Sequence, residues 1–295
     1  MSERSGIERI SGTAFLKGHG TQNDFVIIPD PDGALELPAE TVAALCDRRA
    51  GIGADGVLRV VRSAADPAAA AMADEAEWFM DYRNADGSIA EMCGNGVRVF
   101  ARYLVHAGHA KPGPLAVATR AGVRRVRIAE DAADGAPGQV TVDMGSARLP
   151  GPDGITVTVG AHSWPALNVN MGNPHAVAFV ADLADAGNLY EAPATAPDGV
   201  YPQGVNVEFV VDRGERHVAM RVHERGSGET RSCGTGACAV AVAAARRDGN
   251  DPAVTGRPVS YTVDVPGGRL VIEEFPDGRI EMTGPAVIVA EGVLK

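Results

Sequence analysis

One short pattern occurs twice in this chain, and each copy is followed directly by a segment with few polar side chains. Cys93-Gly94-Asn95-Gly96 precedes the segment 97–104, and Cys233-Gly234-Thr235-Gly236 precedes the segment 237–245. The composition of both segments predicts helices, so each cysteine is expected where a helix begins. Unpaired N–H groups and the helix dipole favour negative charge at that end and lower the pKa of a cysteine thiol. Each copy therefore predicts a reactive thiolate or an anion-binding site.

The repetition of this pattern indicates a joint function for Cys93 and Cys233. If both sulfurs reached one carbon, one could remove a proton while the other donated a proton to the opposite face. Both helix N-termini could then hold a carboxylate attached to that carbon. Cysteine is often only a small core residue, and we interpret Cys46 and Cys238, which lie in apolar helical patterns, in that way. For the repeated pair, the shared glycine-rich surroundings favour a function.

Composition excludes several classes of function. The net charge of −11 argues against nucleic acid or an anionic membrane as a partner. Lysine occurs only at Lys17, Lys111 and Lys295, which disfavours an enzyme that binds pyridoxal phosphate through a lysine. The four cysteines show no zinc-site spacing, so a structural zinc site is not expected. The polar N-terminus and the shortness of the apolar runs predict a cytoplasmic protein whose cysteines are thiols.

The duplication extends beyond the cysteines and predicts the fold class. An asparagine opens an apolar strand at Asn23 and again at Asn173, and Asn84 and Glu224 precede their cysteines by the same interval. We therefore predict an α+β protein of two similar, pseudo-symmetric domains. Each would be a curved mixed, mostly antiparallel sheet wrapped around a central helix. The charged, glycine- and proline-containing stretch 130–138 predicts a boundary between domains 1–133 and 134–284.

Further polar residues are candidates for substrate contacts. Glu224 and Arg225 precede the second cysteine and would suit a substrate carrying both an ammonium and a carboxylate group. Asparagine is common in turns, yet it can also bind polar groups without adding charge. His175 is open between a general base and a hydrogen-bonded loop histidine. The asparagine candidates are Asn23, Asn84, Asn173 and Asn206.

The motifs taken together resemble the diaminopimelate epimerase family. The resemblance is carried by the two cysteine motifs and by the stretches 84–88, 171–175, 204–206 and 224–230, and it extends from Lys17 to the C-terminal strands. It implies an isomerase that works without pyridoxal phosphate or metal. The expected reaction interconverts LL-diaminopimelate and meso-diaminopimelate, in the biosynthesis of lysine and peptidoglycan precursors.

The resemblance also implies roles for individual residues. Cys93 and Cys233 would be the acid/base sulfurs, and the N–H groups at Gly94-Asn95 and Gly234-Thr235 would hold the reacting carboxylate. Glu224, Asn23 and, in support, His175 would serve the reacting amino group. A terminal strand at about 285–295 would return to the first domain, and a homodimer is expected. The distal end of the substrate would be bound by Asn84, Asn173, Asn206 and Arg225.

Two positions depart from the family pattern. Gln22 stands before Asn23, where the family leads us to expect glycine, and Gly56 stands where many members carry glutamine. These departures concern the substrate contacts near the first strand rather than the cysteine chemistry.

Three alternative functions remain open from the sequence. A related two-domain isomerase, such as a proline-type racemase, would use the same paired cysteines. A thiol hydrolase or redox protein would use one cysteine and form a covalent intermediate. A non-catalytic anion-binding module would bind its ligand without exchanging hydrogen.

Overall fold

The structure, a computed structural model, describes residues 6–133, 135–151 and 154–295. Short 3-10 turns occur at Gly6–Ile10, Ser63–Ala65, Ala70–Met72 and Leu183–Ala186. The strands and α-helices, in chain order, are β1 Ala14–Gly20, β2 Asn23–Pro29, α1 Ala39–Cys46, β3 Gly56–Arg62, β4 Trp78–Asn84, α2 Gly94–His106, β5 Gly113–Thr119, β6 Gly122–Ile128, β7 Val140–Ser146, β8 Ile155–Val159, β9 His162–Asn170, β10 Pro174–Phe179, β11 Ala194–Ala196, β12 Asn206–Gly214, β13 His217–Glu224, β14 Gly228–Glu229, α3 Gly234–Arg247, α4 Pro252–Thr255, β15 Val259–Val265, β16 Gly268–Glu274, β17 Arg279–Gly284 and β18 Val287–Val293.

The chain divides into two compact units. Unit 1 comprises Met1–Val142 and Pro285–Lys295, and unit 2 comprises Asp143–Gly284. The change of unit falls within β7, because the first residues of that strand pair with β6. The boundary between 133 and 134 that the sequence suggests stays a prediction, and Asp134 lies outside the described residues.

The sheet of unit 1 is mixed and mostly antiparallel. Its order is β18-β1-β2-β3-β4-β5-β6-β7, with parallel pairing of β2 to β3 and of β4 to β5. Strands β2 and β3 are almost continuously buried, as expected when both faces of a sheet are covered. Helix α2 packs against one set of their side chains, and α1 forms an apolar cluster with Val26, Ile28 and Val57.

Unit 2 repeats this arrangement strand by strand. Its order is β8-β9-β10-β12-β13-β15-β16-β17, and the sequence of parallel and antiparallel pairings is the same as in unit 1. The register agrees as well, because Phe25 lies opposite Gly56 and His175 lies opposite Asn206. The predicted α+β class, with two similar domains of mixed sheet around a helix, is confirmed.

Each unit has one long central helix that packs against its sheet. In α2, Gly94–Leu104 is buried, and in α3 nearly all of the first twelve residues are. Helix α3 is apolar nearly all round because it is buried on nearly all sides. Its many alanines and valines let strands approach its backbone closely. In α2, Arg98 is fully buried and donates hydrogen bonds to Thr21 Oγ1 at 3.1 Å and to the Pro285 carbonyl oxygen at 3.3 Å.

The structure explains the glycine at position 56 and shows the backbone conformation that Gln22 adopts. Thr21 and Gln22 form the turn between β1 and β2 with φ angles of 49° and 63°, a region that glycine adopts without steric cost. At Gly56, an added Cβ would lie 2.5 Å from the Arg83 carbonyl oxygen and 2.7 Å from the Tyr82 ring. This position therefore leaves no room for a side chain unless β4 moves.

We expect Gly56→Ala to lower the free energy of unfolding by about 1–3 kcal/mol, because the new methyl group would meet backbone atoms that no rotamer change can move. Urea denaturation measures this change. Gly214→Ala is the matched control, since Gly214 also lies in a strand and an added Cβ there would meet nothing within 4 Å. Equal stability of the two variants would contradict the steric explanation.

Candidate functional site

The two repeated cysteines occupy the same local position in their units. Cys93 and Cys233 are the N-cap residues of α2 and α3, and both have extended backbone conformations. The Sγ atom of Cys93 accepts a hydrogen bond from the Gly96 N–H at 3.4 Å, and that of Cys233 accepts one from the Gly236 N–H at 3.3 Å. Each sulfur therefore takes the place of the usual hydroxyl or carboxylate cap, where the helix favours negative charge.

Close packing restricts the side chain at Gly236 more than at Gly96. A Cβ added at Gly236 would lie 3.2 Å from Cys233 Sγ and 2.7 Å from Glu208 Oε1. At Gly96 the nearest atoms would be Cys93 Cβ and Leu58 Cδ2, both at 3.4 Å. Side chains of β3 and β12 therefore contact the starts of α2 and α3, and the contact is closer at α3.

Asn23 faces the first cysteine. Its Oδ1 lies 3.6 Å from Cys93 Sγ and accepts a hydrogen bond from Asn95 Nδ2 at 3.2 Å. Its Nδ2 donates to Asp55 Oδ2 at 2.8 Å, which fixes the orientation of the amide. The first sulfur therefore faces an acceptor oxygen, an arrangement that suits a thiol.

Asp55, which accepts the hydrogen bond from Asn23, belongs to a cluster of charged side chains. Arg48 bonds both Asp24 and Asp55 at 2.7 Å, and Lys17 bonds Asp24 at 2.5 Å. Burial opposes ionisation of Asp24, yet hydrogen bonds from Arg48 and Lys17 hold the pKa of this carboxyl well below its usual range. Burial raises the pKa of Asp55, and the hydrogen bond from Asn23 opposes that rise. This cluster was not predicted from the sequence, because its members come from β1, β2 and the loop between α1 and β3.

The second cysteine has more acidic surroundings. Cys233 is only 5% exposed, and burial raises the pKa of its thiol well above the ordinary value. The lowered pKa that the helix start predicts for this thiol is therefore wrong, because burial outweighs the effect of the helix. The negative charges of Glu224 and Glu208 raise this pKa further, whereas hydrogen bonds with Thr235 and Gly236 lower it. Burial also raises the pKa of Glu224, against hydrogen bonds from the Thr230 hydroxyl and the Cys233 thiol.

A line of hydrogen bonds joins His175 to the second cysteine. His175 Nδ1 lies 2.6 Å from Glu208 Oε1, and His175 Nε2 lies 3.1 Å from Asn173 Oδ1. Asn173 Nδ2 donates to Thr235 Oγ1 at 3.4 Å, and that hydroxyl lies 3.5 Å from Cys233 Sγ. The His175 ring is fully buried in β10 and hydrogen-bonded at both nitrogens, so this residue is not a loop histidine. A role for His175 as a general base stays a prediction.

Sequence reasoning missed Glu208. The available signal was one acidic residue within the apolar strand 205–211, two positions after Asn206. Its side chain is fully buried, which is rare for a carboxylate unless it is paired.

The remaining candidate side chains are those of Asn206, Arg225 and Asn84. Asn206 Nδ2 donates to the Pro174 carbonyl oxygen at 3.1 Å, and its Oδ1 accepts from the Arg225 N–H at 2.9 Å. The Asn206 amide therefore holds the backbone that carries Arg225, whose exposed side chain donates to the Gln203 carbonyl oxygen at 3.3 Å. Asn84 donates to Ser88 Oγ at 3.0 Å and lies opposite Gly56 in the sheet. The substrate-binding roles of all the candidates stay predictions.

Among residues 6–133, 135–151 and 154–295, no group of three or more His, Cys, Asp or Glu side chains is arranged to hold a metal ion. Over the same ranges, no helix combines the length and apolar character needed to cross a bilayer.

Solved structures with the same fold come from epimerases and related proteins. A phenazine biosynthesis protein of the PhzF family from Bacillus anthracis matches with a TM-score of 0.69 at 16% identity, covering 95% of this chain and 98% of that one. A hydroxyproline epimerase from Agrobacterium vitis, with bound trans-4-hydroxy-L-proline, matches with a TM-score of 0.65 at 16% identity, covering 96% and 92%. The fold is therefore the two-domain α+β fold of this group of structures.

Sequence relatives define the family within that fold. The family model for diaminopimelate epimerase matches residues 15–150 and 167–289. The diaminopimelate epimerase of Streptomyces coelicolor is 75% identical over 279 residues, which are 95% of this chain and 94% of that protein. That of Thermobifida fusca is 51% identical over 283 residues, which are 94% and 96% of the two chains. The chain belongs to the diaminopimelate epimerase family, whose members are isomerases.

The raised pKa of Glu224 predicts a pH-dependent stability. In the unfolded chain this carboxyl ionises near the ordinary pKa of about 4.3, whereas the fold favours its protonated form. Its contribution is therefore complete below the unfolded pKa and is lost as pH rises through the folded pKa. We expect Glu224→Gln to gain stability relative to the unmodified protein between pH 4 and pH 8, measured by urea denaturation.

The exposed Glu215→Gln is the control for the loss of one negative charge. A stability difference between Glu224→Gln and the unmodified protein that stays constant across this pH range would show that burial does not act on Glu224 as described.

Proposed function

We propose that this chain interconverts LL-diaminopimelate and meso-diaminopimelate, with Cys93 and Cys233 as its acid/base pair. The observation that supports this most directly is the repeated N-cap geometry, in which each sulfur accepts a helix N–H at 3.3–3.4 Å. Family membership supports the substrate, because the relatives at 75% and 51% identity carry the name diaminopimelate epimerase.

The proposed reaction removes a proton from one face of the α-carbon and adds a different proton to the opposite face. A cysteine thiolate takes the α-hydrogen as a proton, so that the C–H bond breaks and an S–H bond forms. The other cysteine donates its thiol proton to the opposite face of the same carbon and becomes the thiolate. Each turnover therefore exchanges the roles of the two sulfurs, and the reverse direction begins from the exchanged state. The proposal requires that both sulfurs reach one α-carbon.

The helix N-termini would stabilise the charge that develops during this transfer. Removing the α-proton pushes electron density onto the neighbouring carboxylate. The N–H groups at Gly94-Asn95 and Gly234-Thr235 belong to the first turns of α2 and α3, where backbone donors lack helical partners. One well-placed donor of this kind contributes about 3 kcal/mol to a transition state. Anion binding at the two helix ends therefore supports catalysis as much as the two bases do.

Charged and amide side chains would select a substrate with two amino-acid ends. In our proposal Glu224 and Asn23, with His175 in support, serve the reacting amino group. Arg225 is exposed and supplies positive charge for the distal carboxylate. The amides of Asn84, Asn173 and Asn206 complete the distal contacts.

Deuterium incorporation tests the proposal. In heavy water with LL-diaminopimelate, we expect deuterium to enter only the α-position. Replacing either catalytic cysteine removes a proton donor or acceptor, so Cys93→Ala and Cys233→Ala should each lower epimerisation by about 10²–10⁴-fold. NMR of the substrate measures both quantities. Epimerisation that survives in both variants would exclude the two-cysteine mechanism.

Each unit offers a matched control cysteine. Cys46 lies in the apolar cluster of unit 1, where burial raises the pKa of its thiol to about 11, and Cys238 is fully buried in α3 of unit 2. We expect Cys46→Ala and Cys238→Ala to retain epimerisation. The same samples separate the alternatives, since a hydrolase or redox protein would show a covalent adduct by intact mass. A proline-type racemase would turn over proline, and a binding module would exchange no hydrogen.

Cytoplasmic location and a homodimer are further parts of the proposal. The exposed apolar side chains of Val289 and Val293 on β18, at 54% and 62% exposure, support an interface between two copies. Analytical ultracentrifugation of the purified chain should give twice the mass of one chain. A species of single-chain mass at micromolar concentration would contradict the dimer.

A further inference from the structure

The two units differ at one pair of equivalent buried positions. The matching registers of β2–β3 and β10–β12 make Phe25 equivalent to His175 and Leu58 equivalent to Glu208. All four side chains are completely buried. In unit 1 the apolar pair packs beneath the start of α2, and in unit 2 the polar pair packs beneath the start of α3. The same fold therefore accepts an apolar pair at this place.

The polar pair is not required for stability on physical grounds. Replacing a buried ion pair by apolar residues of similar volume is often neutral or stabilising, because two charges must be taken out of water to form it. Glu208 carries a further cost, since its Oε2 is buried and has no hydrogen-bond partner among the described residues. A costly polar pair at a position where unit 1 has an apolar one indicates a task other than folding.

The hydrogen bonds around His175 indicate its protonation state. The Glu208 carboxylate can only accept, so Nδ1 carries a hydrogen. Asn173 donates through its Nδ2 to Thr235, so its Oδ1 faces Nε2 as an acceptor and Nε2 also carries a hydrogen. With hydrogens on both nitrogens, the ring is an imidazolium cation balanced by Glu208.

The hydrogen bond from Asn173 to Thr235 leaves the Thr235 hydroxyl able to donate to Cys233 Sγ. Because Thr235 Oγ1 accepts from Asn173, its own hydrogen is available for Cys233 Sγ at 3.5 Å. A neutral His175 with an unprotonated Nε2 would turn the Asn173 amide around, and the Thr235 hydroxyl would then donate to Asn173 instead. The charge of His175 thus determines whether the sulfur receives this hydrogen bond.

We propose that Glu208 is a positioning residue that keeps His175 doubly protonated and so directs the donors of Asn173 and Thr235 toward Cys233. The acidic groups facing this sulfur are Glu224 and Glu208. The His175 cation offsets them, and the Thr235 hydroxyl stabilises the thiolate whenever Cys233 acts as the base. This inference rests on the proposed function only in assigning Cys233 an acid/base role.

NMR of the protein tests the protonation state without measuring activity. In protein labelled with ¹⁵N-histidine at neutral pH, we expect both ring nitrogens of His175 to carry hydrogen. The signal is assigned by its loss in His175→Gln. In Glu208→Gln we expect one of the two hydrogens to be lost, because the carboxylate that balances the cation is gone. A singly protonated His175 in the unmodified protein would overturn the proposal.

Kinetics test the consequence for Cys233. We expect Glu208→Gln to lower kcat for α-hydrogen exchange by about tenfold, as the loss of one hydrogen bond to a charged group does, with KM within about threefold. The double variant Glu208→Leu with His175→Phe copies the apolar pair of unit 1. It should unfold at the same or a higher urea concentration and lose exchange by at least as much. Exchange at the unmodified rate in either folded variant would overturn the proposal.

Glu274→Gln provides the matched control. Glu274 is a buried carboxylate of the same unit, paired with Arg246 at 2.5 Å, and Arg246 lies at the C-terminal end of α3. This variant should lose stability but retain kcat and the His175 signals. If the unmodified protein fails to exchange deuterium into diaminopimelate, the proposed function fails, while the NMR result still decides the protonation of His175.

Discussion

The first turn of a helix needs partners for its N–H groups, and in this chain a cysteine sulfur provides one in each unit. Cys93 and Cys233 accept the hydrogen bonds that a serine or aspartate would usually accept. The remaining donors of the same turn stay available for an anion. The close contact of Gly236 with Cys233 Sγ and the proposed chemistry both depend on this capping arrangement.

The duplicated architecture makes the differences between the units informative. Both sheets have the same strand order and pairing directions, so any contrast at equivalent positions is a contrast in chemistry rather than in fold. Beneath the first cysteine the core is apolar, and Asn23 offers its oxygen to the sulfur. Beneath the second lies the pair of Glu208 and His175, and hydrogen bonds through Asn173 and Thr235 connect His175 with the sulfur. Two sulfurs in equivalent N-cap positions thus have different surroundings.

The sequence predicted the repeated features of this fold and site. The cysteine motifs, the spacing of Asn84 and Glu224, and the apolar helices were readable because each depends on local pattern, and the α+β class follows from them. Glu208 was not predicted, since one acid in an apolar strand acquires meaning only when β12 pairs with β10 and brings His175 beside it. The cluster of Asp24, Arg48 and Asp55 depends on similar long-range pairing. The hydrogen bond from the Arg225 N–H to Asn206 joins the turn after β13 to β12, and no local pattern predicts it.

The return of β18 to unit 1 has a consequence for the order of folding during synthesis. β18 pairs with β1, so two segments at opposite ends of the chain close one side of the same sheet. The buried Arg98 bonds the Pro285 carbonyl just before that strand. Unit 2 is continuous in sequence and can assemble as soon as Gly284 has left the ribosome. In unit 1, β1 cannot pair with β18 until Val287–Val293 has been synthesised. The unit whose first residues are translated earlier is therefore completed later.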